Sequence, residues 1–173
     1  MIITVEDLKK QVNCGDVADD VITAKLEAIE AVIRAYTNNN FQQRAIRFAG
    51  SSDGFSVYGV PQFFTEGDTV QISGFGVNDG LYTVVMVHDD HLELDRPLIT
   101  AECNLVTKIR YPADVVQCAV DLFKWKQTMG DKVGVKSETL SRHAVTYEDS
   151  ATLYMGYPVG ILNGLKLHKK ARC

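Results

Sequence analysis

His88-Asp89-Asp90-His91 is the densest run of metal-type ligands in the chain. Two imidazoles and two carboxylates are the donors that hold a divalent transition ion. The run falls between two β-rich stretches, where aspartates are ordinary turn residues, so it is read as a turn and not as a metal site. Cys118 and His143 form a nominal nucleophile and base. Cys118 lies on the apolar side of a helix-patterned segment, however, where a free thiol packs as a small hydrophobe. Gly74-Phe75-Gly76-Val77-Asn78-Asp79-Gly80 has the glycines of a phosphate-binding loop. It leads into a second strand rather than a helix, so the helix-end anion site is missing and a hairpin turn is expected. Glu27 with Glu30, and Asp19 with Asp20, are read as the solvated face of an amphipathic helix. No catalytic, cofactor-binding or metal residue is assigned, and the expected protein is not an enzyme.

Composition points the same way. At 173 residues, with 46% hydrophobic and 23% charged, the chain has the material for one packed domain, or for a small domain carrying a second module. A net charge of −4 disfavours gripping nucleic acid through bulk positive charge. Cys14, Cys103, Cys118 and Cys173 are scattered with no C-x-x-C pair, which disfavours a zinc site or a disulfide framework and fits synthesis in a reducing cytoplasm. The start of the chain lacks the basic and apolar regions of a signal peptide, and no apolar run has membrane-spanning length, so neither export nor membrane insertion is expected.

The elements that must position these residues follow from periodicity. Thr4 and Asp7 form a capping-box-like start, with Ile3 and Leu8 as a hydrophobic staple, for a helix over about residues 5–12. Ile22, Leu26, Ile29, Ile33 and Tyr36 then mark a second, amphipathic helix ending at Thr37-Asn38-Asn39-Asn40. Residues 43–110 read as short strands and turns, including 70–73, 81–87 and 91–94, in the manner of a small antiparallel β-barrel. Helical character returns after Tyr111-Pro112, with proline suited to the first turn and Asp114 complementing the helix dipole. Residues 140–147 read as an extended arm. Pro158, Ile161, Leu162, Leu165 and Leu167 mark a short last helix weakened by Gly160 and Gly164, followed by a basic tail. The expected fold is α+β: a helical core of about four helices from residues 1–42 and 111–173, with an inserted β-barrel at 43–110.

Tyr111-Pro112-Ala113-Asp114-Val115-Val116, the Gly134-Val135-Lys136-Ser137-Glu138 turn, His143-Ala144-Val145-Thr146-Tyr147-Glu148 and the Tyr157-Pro158-Val159-Gly160-Ile161-Leu162 close resemble the tailed-phage head-tail connector family. The stretch from Phe64 to Val84 is similar to SH3-like barrels inserted into phage structural proteins. The resemblance implies a virion protein of the neck, made in the host cytoplasm. It would form a ring of twelve subunits under the portal, extend the DNA channel without specific DNA binding, and meet a stopper or tail-completion protein. It also implies that Ile161, Leu162, Leu165, Lys166, Leu167, His168, Lys169, Lys170 and Arg172 face the portal and become ordered on docking. An arm carrying Lys136, Glu138, Arg142, His143 and Tyr147 would cross to the neighbouring subunit. The electrostatics of the tail also allow a solubilising end or a contact to DNA phosphates. The alternative is a standalone module whose barrel recognises peptide, glycan or nucleic acid through Phe55, Tyr58, Phe63, Phe64 and Phe75. Packing in a small barrel core is the simpler reading of those rings.

Overall fold

Hydrophobic period decides the architecture, and it changes twice along the chain. The computed structural model describes residues 1–74, 76–129, 137–140, 143–146 and 153–171, with backbone alone at 137–140 and 143–146. The protein is α+β and divides into two units, one of residues 2–39 and 112–173 and one of Met1 with residues 40–111. The boundaries thus fall at 39/40 and 111/112, against the 42/43 and 110/111 expected, and Met1 belongs with the β unit. Among the described residues no helix is long and apolar enough to cross a membrane.

The helical unit begins with α1 (Val5–Gln11). The Thr4 hydroxyl oxygen accepts from the Asp7 N–H at 3.1 Å, satisfying one of the donors a helix start leaves over, and Ile3 and Leu8 are buried as a staple requires. In α2 (Asp19–Thr37), Ile22, Leu26, Ile29 and Ile33 are fully buried at alternating spacings of four and three. Asn38 ends the helix in the left-handed region at φ 49°, a conformation asparagine tolerates better than most residues. One expectation fails here. Glu30 is buried, not solvated, and its carboxylate accepts the Ile2 N–H at 2.9 Å, so it holds the N-terminal segment.

In α3 (Ala113–Met129), Val115, Cys118, Ala119, Val120, Leu122 and Phe123 are buried. Strands β5 (Ser137–Leu140) and β6 (His143–Thr146) pair antiparallel, Ser137 opposite Thr146 and Leu140 opposite His143. The expected single arm is therefore a ladder, in which extended backbone satisfies its donors and acceptors locally. A two-residue pairing of β7 (Leu153–Tyr154) with β8 (Tyr157–Pro158) leads into α4 (Val159–Leu162) and a 3₁₀-helix (Asn163–His168). The expected last helix is thus one α-turn that tightens, as short helix ends often do.

The β unit is built from β1 (Gln42–Tyr58), β2 (Thr69–Ser73), β3 (Gly80–Val87) and β4 (His91–Ile109), all antiparallel. β4 is long enough to pair with all three other strands: besides β1, its first residues pair with β3 and its last with β2, while β2 and β3 pair with each other. The sheet is consequently rolled. β1 and β4 run together as a ribbon that bends where Gly54 (φ +57°) faces Leu98, with register shifts on either side. The bend brings Gly50 against the Tyr58 backbone, where an added Cβ would lie 1.7 Å from the Tyr58 carbonyl oxygen, so only glycine fits. Inside the roll, Val57, Phe64, Val70, Ile72, Val84, Leu92, Leu94, Leu98 and Val106 form one apolar cluster. Burying each such side chain contributes about 1.5–3 kcal/mol.

Candidate functional site

The portal-facing residues expected from sequence separate into two sets. Leu162 and Leu165 are fully buried in the helical unit, and Ile161 is half-buried with its carbonyl oxygen 3.8 Å from the Cys118 thiol. Leu162 and Leu165 are therefore core, and their order needs no partner. The outward set is Lys166, Leu167, Lys169 and Lys170, all exposed, with Leu167 93% accessible. Arg172 lies outside the described residues.

This terminal strap is fixed to the end of α2 by several polar contacts. The Asn39 side-chain amide donates to the His168 carbonyl at 3.1 Å, and that of Asn38 donates to the carbonyls of Lys170 and Ala171 at 3.3 and 3.0 Å. The Lys170 N–H donates to the Thr37 carbonyl at 2.8 Å. The Lys169 ammonium stands 3.8 Å from the centre of the Tyr36 ring, a cation–π contact. Tyr36 in turn meets the Tyr154 ring edge-on at 5.3 Å and donates to Asn163 Oδ1 at 3.2 Å. His168 Nε2 lies 2.6 Å from Asp114 Oδ2 at the start of α3, and that hydrogen bond holds the Asp114 carboxyl below its ordinary pKa. The asparagines were legible only as a helix stop, because their carbonyl partners lie about 130 residues away in sequence.

No family model matches the chain, and no curated protein matches it.

Of the ring-contact residues, Lys136, Arg142 and Tyr147 lie outside the described residues, and Glu138 and His143 are placed by backbone, on β5 opposite Val145 and on β6 opposite Leu140. The Cys118 thiol is buried and pushed up to about 11 by desolvation, with Asp121 and Asp114 adding to the shift, so it is a poor nucleophile. The glycine loop after β2 is a connection between two strands, with the Gly74 N–H donating to Asp79 Oδ1 at 3.0 Å. Of the aromatic set, Phe64 packs in the core while Phe55, Tyr58 and Phe63 are exposed, Phe63 at 76%. Core packing therefore explains one ring and not three. Phe75 lies outside the described residues. His88 and His91 are brought together, and Glu93, which the sequence reading passed over, joins them.

Proposed function

We propose that this protein is a head-tail connector of a tailed phage: a structural, non-enzymatic subunit of a twelve-membered ring under the portal. The ring extends the DNA channel and hands on to a stopper or tail-completion protein, with DNA passing through unbound. The sequence resemblance motivates the reading, and the terminal strap is the observation that carries it. An exposed leucine among three exposed lysines, on backbone anchored by Asn38 and Asn39, suits insertion into an apolar pocket with an acidic rim. Preordering of the strap lowers the entropy cost of docking.

The test is negative-stain electron microscopy of the protein mixed with the portal ring encoded in the same genome. A second ring of density is expected with the wild type and its loss with Leu167→Asp, while circular dichroism shows both proteins folded. Undiminished docking by Leu167→Asp would remove the strap from the interface, and no density with either protein would overturn the connector reading. The exposed rings of Phe55, Tyr58 and Phe63 support a second reading, a binding module using the β unit. On that reading, Phe63→Ala abolishes ligand capture while Leu167→Asp does not.

A further inference from the structure

We propose that His88, His91 and Glu93 form a binding site for a first-row divalent transition metal of the zinc type. The β3–β4 register builds the site. The His88 N–H donates to the His91 carbonyl at 2.9 Å, and one step further along Val87 faces Leu92, then Met86 faces Glu93. Opposed residues share a face of a ladder, as do residues two apart, so both histidines and Glu93 project together. Leu92 between them is buried in the apolar cluster, which sends the three ligands to the outer face.

Their donor atoms lie within 4.8 Å of one another. Glu93 Oε1 stands 3.4 Å from His88 Nε2 and 4.0 Å from His91 Nε2. Ligands about 2.1 Å from a tetrahedral ion stand about 3.4 Å apart, so one edge is already formed and the others close by side-chain rotation. The imidazole rings are stacked at 4.1 Å and 9°, and they must splay to converge on one ion.

Two further observations point to a missing ligand. His88 Nε2 is shielded from solvent yet makes no hydrogen bond, with Glu93 Oε1 3.4 Å away. Buried polar atoms are seldom left so. His91 Nδ1 lies 2.7 Å from Asp90 Oδ1. A carboxylate on the far nitrogen directs the Nε2 lone pair towards an ion and makes it a stronger donor. Two imidazoles and one carboxylate select zinc-type ions over calcium or magnesium, leaving a fourth position for water. The sequence run His88-Asp89-Asp90-His91 thus supplies two ligands and one orienting carboxylate, and the third ligand comes from β4.

The experiment is isothermal titration of chelator-treated, tag-free full chain with zinc chloride, alongside the visible absorption spectrum with cobalt(II). One equivalent is expected, with the intense visible bands of a tetrahedral cobalt centre. His88→Gln, His91→Gln and Glu93→Gln should each weaken binding by at least about 100-fold, and Asp90→Asn, which touches only the ligand's far nitrogen, by about 10–100-fold. Amide NMR spectra establish that each variant is folded, with Glu93→Gln the mildest change. No binding by the wild type at ~100 µM zinc, a concentration far above typical zinc-site constants, would overturn the proposal. So would unchanged affinity in the His88→Gln/His91→Gln double variant.

Discussion

Asn78→Ala should unfold the β unit far more readily than its place in a glycine-rich turn suggests. Asn78 is buried, and its side-chain amide reaches the Ile99 carbonyl at 2.8 Å, Ser52 Oγ at 3.0 Å and Asn104 Oδ1 at 3.2 Å. With only two hydrogens to give, it shares one among these acceptors. Its Oδ1 accepts the Ile99 N–H at 2.8 Å. Ser52 Oγ also donates to the Ile99 carbonyl and accepts from Asn104 Nδ2. The β2–β3 turn is thereby pinned inside the bend of the β1–β4 ribbon. Truncation leaves the Ile99 N–H and Asn104 Oδ1 without this partner, while the Ile99 carbonyl keeps Ser52. Two to three lost hydrogen bonds at about 1 kcal/mol each, plus about 1 kcal/mol for one stranded buried acceptor, give roughly 3–4 kcal/mol. If the β unit melts alone, that lowers its Tm by roughly 10–25 °C.

Trp125, the single tryptophan, lies in α3 of the helical unit, so its fluorescence follows that unit while amide exchange follows the β unit. The assay is urea unfolding of wild type, Asn78→Ala, Asn104→Ala and the double variant, read by both probes. A coupling energy of at least about 1 kcal/mol between the two asparagines is expected for partners in one network. Destabilisation below about 0.5 kcal/mol, the usual range of a surface substitution, would refute the reasoning, as would strict additivity.

Lys108→Ala should cost the β unit about 1–3 kcal/mol in urea titration, since the ammonium pairs with Asp68 and donates to the Phe63 carbonyl in a largely buried setting. Deleting residues 161–173 should melt the helical unit rather than merely prevent docking, because the buried Leu162 and Leu165 are each worth about 2–5 kcal/mol; a folded truncation by Trp125 fluorescence would contradict this. The Asp114 carboxyl has its pKa lowered in the fold, so its stabilisation is present above the ordinary value of 3.8 and lost as pH falls through the lower folded value. The stability gap between wild type and Asp114→Asn should therefore be open at pH ~5 and narrow on acidification. In a Cys173→Ser background, a thiol reagent should label exposed Cys103 at once and buried Cys14 and Cys118 only on unfolding.

Local patterns in the sequence carried much of the fold. The Thr4 cap, the stripe of α2 and Asn38 as a helix stop rest on contacts within a few residues, and the strands expected at 70–73 and 81–87 are β2 and β3, while the one expected at 91–94 is only the start of the long β4. The long ribbon was harder. The strand expected at 91–94 stops short of Pro97, yet β4 continues through it because Pro97 sits at the bend, where the register shift spares its missing N–H. Asn78 read as a turn residue for the same reason that Glu30 read as solvated: a polar side chain looks alike on the surface and in a buried pocket until its partners are known. Ser52 and Asn104 are each 26 residues from Asn78, and Ile2 is 28 from Glu30.

The terminal strap shows why an apolar stripe cannot by itself be assigned to a partner. Leu162, Leu165 and Leu167 share one composition, and a buried stripe has the same period whether its cover is the chain's own helix or another molecule. What separates them is curvature: the tight 3₁₀ turn gives about three residues per turn, so Leu162 and Leu165 point the same way into the core, while Leu167 is rotated about two-thirds of a turn from Leu165. An exposed leucine on a backbone held by Asn38 and Asn39 is thus the apolar residue of the strap that the fold itself leaves uncovered. That is why a charge at Leu167, and not removal of the whole strap, separates loss of docking from loss of folding.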